Sequence, residues 1–249
     1  MGFLSSQLTH DAFLGGKLHL WQPVKGYRAA TDPVLLAAAC PATKGQSVLE
    51  LGCGVGAASL CLRTRVDVEL SGVELQSSYA VLARRNASEA GYAMTVVDAD
   101  LANLPADVRA RSFDHVILNP PYYGPGTSSP DAGRDKALRE QTALATWVDT
   151  ALRRAGPKGC VTLIHLAERV GDLIELLNPR AGLIEIKPIA ARAGKPAGRV
   201  LLRAHKGRAS RSILHNPLVL HDGARHLRDG DDFSQAATDI LRRGKPIEF

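Results

Sequence analysis

From residue 47 onward the chain alternates short apolar runs with stretches of helical periodicity, and this alternation restricts the possible folds most. Candidate strands are Ser47–Leu51, Val68–Val73, Met94–Val97, Phe113–Leu118, Cys160–His165, Ile184–Ile189 and Val200–Ala204. Candidate helices are Ala57–Thr64, Ser77–Ala90, Lys136–Ala155 and Ala167–Asn178. Strands separated by helices need crossovers, and crossovers of one hand give a mostly parallel sheet covered on both faces. The last two strands are joined by Ala190–Arg199, which carries Gly and Pro but no helical pattern, so they are expected to pair antiparallel. The expected architecture is α/β, with a mostly parallel seven-stranded sheet, a C-terminal antiparallel hairpin and helices on both faces. Residues 1–45 read as a preceding segment, with turns at Gly15-Gly16 and Gly26 and a helix capped by Thr31 or Asp32 with Pro33 in its first turn. Residues 46–249 show no internal domain boundary.

After the first of these strands comes Glu50-Leu51-Gly52-Cys53-Gly54-Val55-Gly56, leading into a helix. Glycines there allow a tight turn and close approach of the backbone to a ligand at a helix N-terminus. Glu74 ends the second strand, where a carboxylate can hold both hydroxyls of a ribose. Gly52-x-Gly54-x-x-Ala57 also meets the relaxed dinucleotide fingerprint, so NAD is a rival ligand. Two acids argue against it. Glu50 is costly beside a pyrophosphate but suits the cationic aminoacyl end of S-adenosylmethionine, and Asp100 follows the third strand where it can accept from an adenine amino group. Leu75 and Leu101, next to those acids, join the candidate cofactor set.

Asn119-Pro120-Pro121-Tyr122 follows the apolar run Phe113–Leu118, at the carboxyl end of the fourth strand, where open α/β sheets bind ligands. An exocyclic amine conjugated to a ring has a delocalised lone pair and is a poor nucleophile. The Asn119 side-chain oxygen and the Pro120 carbonyl can hold its two N–H groups, drawing the nitrogen toward sp³ and aiming its lone pair at a methyl donor. The prolines fix φ and remove competing N–H donors. Tyr122 offers a face on which a base can stack. The chemistry needs positioning and a dry site rather than a strong base.

Charge distribution adds a partner. The formal net charge is +6, yet the window 180–215 alone holds nine Lys/Arg against Glu185, leaving the remainder of the chain slightly negative. A basic block on a near-neutral body suggests a polyanion, because phosphate contacts dominate nucleic-acid affinity. Arg199, Arg203, Lys206, Arg208 and Arg211 are the candidate RNA contacts in that block; Tyr123 and Arg134 join them from the loop after Tyr122, and Lys136 from the start of the helix that follows it. That loop, Tyr123 to Asp135, is long and polar and is expected to be mobile without RNA. Cys40, Cys53, Cys61 and Cys160 show no metal-ligand spacing and read as buried reduced thiols, so no metal is expected. No run approaches a membrane span and the N-terminus lacks a signal-like apolar stretch, so a cytoplasmic protein is expected. His165 reads as a satisfied histidine at the edge of the core, and Trp21 and Trp147 as packing residues.

With these residues in hand, the sequence resembles class I amino-methyltransferases, and more closely the bacterial tRNA1(Val) (adenine-N6)-methyltransferase family. Asp11-Ala12-Phe13-Leu14-Gly15-Gly16-Lys17 is similar to that family's opening, as are Gln22-Pro23-Val24-Lys25-Gly26-Tyr27-Arg28 and Thr31-Asp32. The similarity continues through ELGCGVG, GVE, the NPPY element and Asn216-Pro217-Leu218-Val219-Leu220-His221-Asp222. The resemblance implies a Rossmann-like fold, S-adenosylmethionine as cofactor, and methylation of the adenosine 3′ of the anticodon in a tRNA. It also implies that Gly26 to Asp32, including Arg28 and Thr31, meet the methionine end of the cofactor as a capping segment. The chain departs from the family after the NPPY element, where Arg134-Asp135-Lys136-Ala137-Leu138-Arg139-Glu140 stands in place of a more basic, histidine-containing stretch.

Other readings stay open on sequence. A guanine-N2 ribosomal RNA enzyme or a protein-glutamine methyltransferase faces the same planar nitrogen. Outside methyl transfer, an NAD-dependent oxidoreductase would account for the glycine turn and Glu74, and a non-catalytic RNA-binding Rossmann protein for the basic block.

Overall fold

The computed structural model describes residues 2–122, 143–223 and 232–249. The chain opens with a hairpin, β1 (Leu8–Phe13) and β2 (Leu18–Pro23), followed by helix α1 (Thr31–Ala39). The α/β body then runs β3 (Ser47–Leu51), α2 (Ala57–Arg65), β4 (Glu69–Glu74), α3 (Ser77–Glu89), β5 (Met94–Asp98), α4 (Ala106–Ala110) and β6 (Phe113–Leu118). It continues with α5 (Leu144–Arg154), β7 (Ala155–Leu166), α6 (Val170–Leu177), β8 (Leu183–Arg192), β9 (Ala197–His205), β10 (Arg211–Leu214), β11 (Leu218–His221) and α7 (Gln235–Arg243).

The main sheet has the order β10-β8-β9-β7-β6-β3-β4-β5, with β11 also on the edge of β8. Strands β3 to β7 are parallel neighbours, and β9 inserts antiparallel between β7 and β8. All seven expected strands are present and the last two pair antiparallel, as their helix-free connection requires. The sheet nevertheless has nine strands, because β10 and β11 add parallel to β8. Both are four residues long and largely unburied, too short for alternation to register. The β1–β2 hairpin and α7 were likewise absent from the sequence reading.

Each central strand is buried on both sides, which explains its nearly continuous apolar run. On one face, Ile117 and Ile164 meet Leu35 and Leu36 of α1 and Leu60 of α2. On the other, Leu49, Leu51, Val116, Leu118 and Leu163 meet Trp147, Val148 and Leu152 of α5. Each fully buried Leu or Ile contributes about 1.5–3 kcal/mol relative to exposure. The hairpin is fastened by Asn86 of α3, which is fully buried: its side-chain oxygen accepts from the Trp21 N–H (2.8 Å) and its amide donates to the carbonyls of Trp21 (3.1 Å) and Val55 (3.0 Å). Trp21 also donates to Glu89 (2.7 Å) and lies under Arg85.

From β3 the chain steps outward through β4 and β5, then returns to place β6 on the opposite side of β3. The strand order therefore reverses between β3 and β6, and a ligand crevice forms beyond their carboxyl ends. The glycine turn leaves β3 and the Asn-Pro-Pro-Tyr element leaves β6, so both open onto this crevice.

Candidate active site

The glycine turn is shaped by what packs against it. Gly52 has φ +64° and Gly54 φ +53°, in the left-handed region that side chains resist. A methyl group on Gly52 would lie 2.4 Å from the Trp147 ring, and one on Gly54 3.4 Å from the Tyr27 ring. Gly56 precedes α2 as its N-terminal cap. The carboxylate of Glu74 braces the turn, accepting from the Gly54 N–H (2.8 Å) and, through its other oxygen, from the Gln76 N–H (2.9 Å). Glu50 points from β3 to the start of α2, where one oxygen accepts from the Ser59 N–H (2.9 Å) and hydroxyl (2.5 Å).

Both acids are buried. Burial pushes the Glu50 carboxyl up to about 7 against the two Ser59 hydrogen bonds, with Glu74 adding to the rise. Burial also raises Glu74, opposed by backbone N–H groups of Gln76, Gly54 and Leu75. Asp100 lies exposed at the edge of the crevice and opens the short turn Leu101–Asn103 by accepting from the Ala102 N–H (2.8 Å). Leu101 is buried beside it, while Leu75 is exposed at the end of β4.

At the end of β6, Pro120 is buried, Asn119 and Tyr122 are partly exposed, and Pro121 is exposed. The Tyr122 hydroxyl donates to Asp32 in the first turn of α1. The same Asp32 oxygen accepts from Nε of Arg199 (3.2 Å), whose guanidinium carbon lies 4.5 Å from the centre of the Tyr122 ring. The His165 ring stands edge-on to Tyr122, with centroids 5.2 Å apart. Burial and the Asp32 charge raise the Tyr122 phenol well above its ordinary value, so it stays a donor at neutral pH.

Tyr27 lies within the Gly26 to Asp32 stretch but was not singled out from the sequence. Its ring lies over Gly54, and its backbone carbonyl accepts from the Tyr79 hydroxyl (3.2 Å). Tyr27 is half-exposed as a residue, yet desolvation at its phenol raises the group, the Glu50 and Asp32 carboxylates raise it further, and the Asn119 side chain opposes the shift. The phenol thus lies among the acids and amide of the crevice, in the stretch that the resemblance assigned to the methionine end of the cofactor.

The remaining candidates divide. Arg28 is tied to the hairpin by Asp11 (2.6 Å), Thr9 (2.9 Å) and the Pro23 carbonyl (2.8 Å), while Thr31 is exposed where α1 begins. The basic block does not form one face, because β9 runs antiparallel alongside β7 and carries its residues from one end of the strands toward the other. Arg199 pairs with Leu166 at the carboxyl end of β7, whereas His205 pairs with Cys160 near its start. Arg199 therefore belongs to the crevice, and Arg208 and Arg211 are exposed at the opposite end. Arg203 is turned inward, donating to the carbonyls of Ala39 (2.6 Å) and Ile247 (3.3 Å) beneath Phe249. Lys206 donates to the carbonyls of Leu152 (3.0 Å) and Ala155 (2.7 Å). These two cations satisfy backbone acceptors, a use that charge counting in sequence cannot reveal. Tyr123, Arg134 and Lys136, with the loop Tyr123 to Asp135, lie outside the described residues.

His165 was expected to be a satisfied histidine at the edge of the core; its Nδ1 is buried and, among the described residues, has no hydrogen-bond partner. All four cysteines are buried free thiols, and among the described residues no three His, Cys, Asp or Glu side chains are grouped as metal ligands. No helix among the described residues is long and apolar enough to cross a membrane.

Comparison with known proteins agrees with this geometry. Residues 48–140 match the model of a methyltransferase domain family. The chain is 31% identical over 209 residues to the tRNA1(Val) (adenine(37)-N6)-methyltransferase of Shewanella baltica, covering 78% of this chain and 84% of that one. It is 30% identical over 223 residues to the enzyme of the same name from Dickeya chrysanthemi, covering 87% and 86%. Among solved structures, a protein from Agrobacterium tumefaciens described as a predicted O-methyltransferase superposes with a TM-score of 0.69 at 27% identity, over 87% of this chain and 98% of that one. The Thermus thermophilus 16S rRNA N2 G1207 methyltransferase, solved with S-adenosylmethionine and guanosine, shares the fold with a TM-score of 0.58 at 20% identity, over 80% and 50% of the two chains.

S-adenosylmethionine is the cofactor of this class I fold, and the donor set fits it. Two buried acids with raised pKa values gain from a ligand that brings an ammonium and ribose hydroxyls, and the glycine turn lets its backbone approach. With the fold, the crevice and the coverage in agreement, the chain belongs to the tRNA1(Val) (adenine(37)-N6)-methyltransferase family.

Proposed function

We propose that this protein methylates N6 of the adenosine next to the anticodon in a tRNA, in the bacterial cytoplasm. The observation that carries the reading is the Asn119-Pro120-Pro121-Tyr122 turn at the strand-order reversal, beside the glycine turn and with an aromatic ring held in place.

S-adenosylmethionine, when bound, supplies an electrophilic methyl on a sulfonium. Glu50 and Asp32 receive its ammonium, Glu74 its ribose, and Asp100 with Leu75 and Leu101 its adenine. Residues 1–45 act as a capping segment over that ligand, with residues 46–249 as the catalytic unit; Gln22, bonded to both the N–H (2.7 Å) and the carbonyl (3.3 Å) of Ala29, supports this by holding the segment down. The Asn119 oxygen and the Pro120 carbonyl accept the two N–H groups of the target amine. Tyr122 stacks on the base, and the proton leaves after transfer, so no side chain of low pKa need act as base. An adenosine in an anticodon loop reaches such a crevice at less cost than one in a helix, because it is not paired. Arg199 contacts the RNA near the base, Tyr123, Arg134 and Lys136 add RNA contacts from the segment after Tyr122, and Arg208 and Arg211 contact it only if it extends along the sheet.

Mapping by oligonucleotide mass spectrometry of tRNA from a strain lacking this protein tests the reading. Loss of one methyl from the anticodon-loop fragment of one tRNA is expected. An unchanged tRNA set with a missing methyl in ribosomal RNA would assign the enzyme to another RNA.

A further inference from the structure

His165 closes β7, the strand that lies beside β6 and its Asn-Pro-Pro-Tyr turn. The residue is 1% exposed, its ring stands at 77° to Tyr122, and its Nδ1 is buried without a partner among the described residues. Buried nitrogens are nearly always hydrogen-bonded, and one left orphaned next to a ligand-binding ring calls for an explanation. Tyr122 is fixed by Asp32 and covered by Arg199, both of which have partners. His165 therefore brings unused hydrogen-bonding capacity to the ring on which the base stacks. Burial, followed by the Arg169 and Arg199 charges, holds the imidazole down to about 4, partly offset by the nearby Pro121 and Leu166 carbonyls, neither of which meets Nδ1 in hydrogen-bond geometry. At neutral pH it is uncharged, with one N–H and one lone pair.

Adenine carries an acceptor on each side of its amino group, N1 and N7. A base stacked on Tyr122 with its amine at Asn119 must bury the edge that bears them.

We propose that His165 is a specificity residue for the base: its imidazole N–H donates to a ring nitrogen flanking the target amine, supplying the hydrogen bond that Nδ1 finds nowhere among the described residues. This rests on adenosine being the substrate. The neutral ring is required, because the donor must lie in a dry pocket at no cost of a buried charge. A pocket built to bond a ring nitrogen rejects a base that lacks it, since the imidazole is then left unpaired again.

The test uses anticodon-loop RNA carrying adenosine, 1-deazaadenosine or 7-deazaadenosine at the target, with the wild-type protein, His165→Phe and His165→Asn. His165→Phe keeps the edge-on contact with Tyr122 and removes the orphaned nitrogen, so its melting temperature is expected to equal or exceed that of the wild type. On adenosine its kcat/KM should fall by roughly tenfold to a hundredfold. One of the two deaza substrates should cost the wild type a similar factor and cost His165→Phe almost nothing, and that analogue identifies the bonded nitrogen. His165→Asn, which retains an N–H, should recover part of the loss. Full activity of His165→Phe on adenosine, or equal losses for wild type and His165→Phe on both analogues, would overturn the contact. A wild-type protein that methylates guanosine or protein but not adenosine would overturn the substrate reading and the contact together.

Discussion

Cofactor binding should release a proton from Glu50. In the cofactor-free protein, burial lifts this carboxyl from 4.5 to about 7. At about 1.4 kcal/mol per tenfold change, keeping it charged in the crevice costs about 3 kcal/mol relative to water. The ammonium of the cofactor offsets that cost, so the bound state holds Glu50 ionised and its proton departs. Linkage then predicts release of about 0.9 proton at pH 6, about half at pH 7 and about a quarter at pH 7.5. The dissociation constant should improve about eightfold from pH 6 to pH 7.5. The assay is titration calorimetry with S-adenosylhomocysteine, which keeps the ammonium, in buffers of different ionisation enthalpy. The sign for stability runs the other way. A carboxyl whose folded pKa lies above its unfolded value favours folding at low pH, and that advantage declines as pH rises from 4.5 to about 7. Glu50→Gln keeps an oxygen for the Ser59 donors, so it should raise the melting temperature at pH 8, change it little at pH 5, and abolish the proton release. Zero proton release at pH 7 together with a pH-independent affinity between 6 and 7.5 would refute the reasoning.

Arg203→Ala should lower stability by about 1–3 kcal/mol in urea unfolding by leaving the Ala39 and Ile247 carbonyls without their donor, while the salt dependence of RNA binding stays unchanged. Arg199→Glu should weaken RNA binding in filter assays and flatten its salt slope by about one, because Arg199 is the cation of the basic block that stands at Tyr122. Gly52→Ala combines a strained φ with a clash on Trp147 and should cost several kcal/mol or prevent folding, measured by thermal melt; Trp147→Ala in the same chain should recover the clash but not the strain.

The body of the fold was legible because β3 and β6 are buried along nearly their whole length, and because short, mostly apolar runs alternate with helical stretches from β3 to β7. β10 and β11 were not legible, since strands of four residues with polar neighbours leave no period to read. The β1–β2 hairpin was hidden for a related reason: its inward positions include Gln22, a polar residue made buryable by Asp11 and Ala29. In the crevice, the glycines, Glu74 and Asn119 were readable because their chemistry depends on spacing along the chain. The meeting of Asp32 with Tyr122 and Arg199 joins residues 90 and 167 positions apart, and the edge-on contact of His165 with Tyr122 comes from the neighbouring strand, so neither has a signal along the chain. Arg203 and Lys206 misled for the same reason, since a cation that binds a buried carbonyl looks the same in sequence as one that faces solvent.

The central claim is that the Asn119-Pro120-Pro121-Tyr122 turn presents an adenine amine to S-adenosylmethionine. The direct measurement is chromatography of nucleosides after the purified protein has acted on unmodified tRNA with labelled cofactor, alongside Asn119→Ala. The account predicts N6-methyladenosine from the wild type and none from Asn119→Ala, with cofactor affinity preserved within a few-fold by calorimetry. Methylation at any other nucleoside, or undiminished N6-methyladenosine from Asn119→Ala, would contradict it.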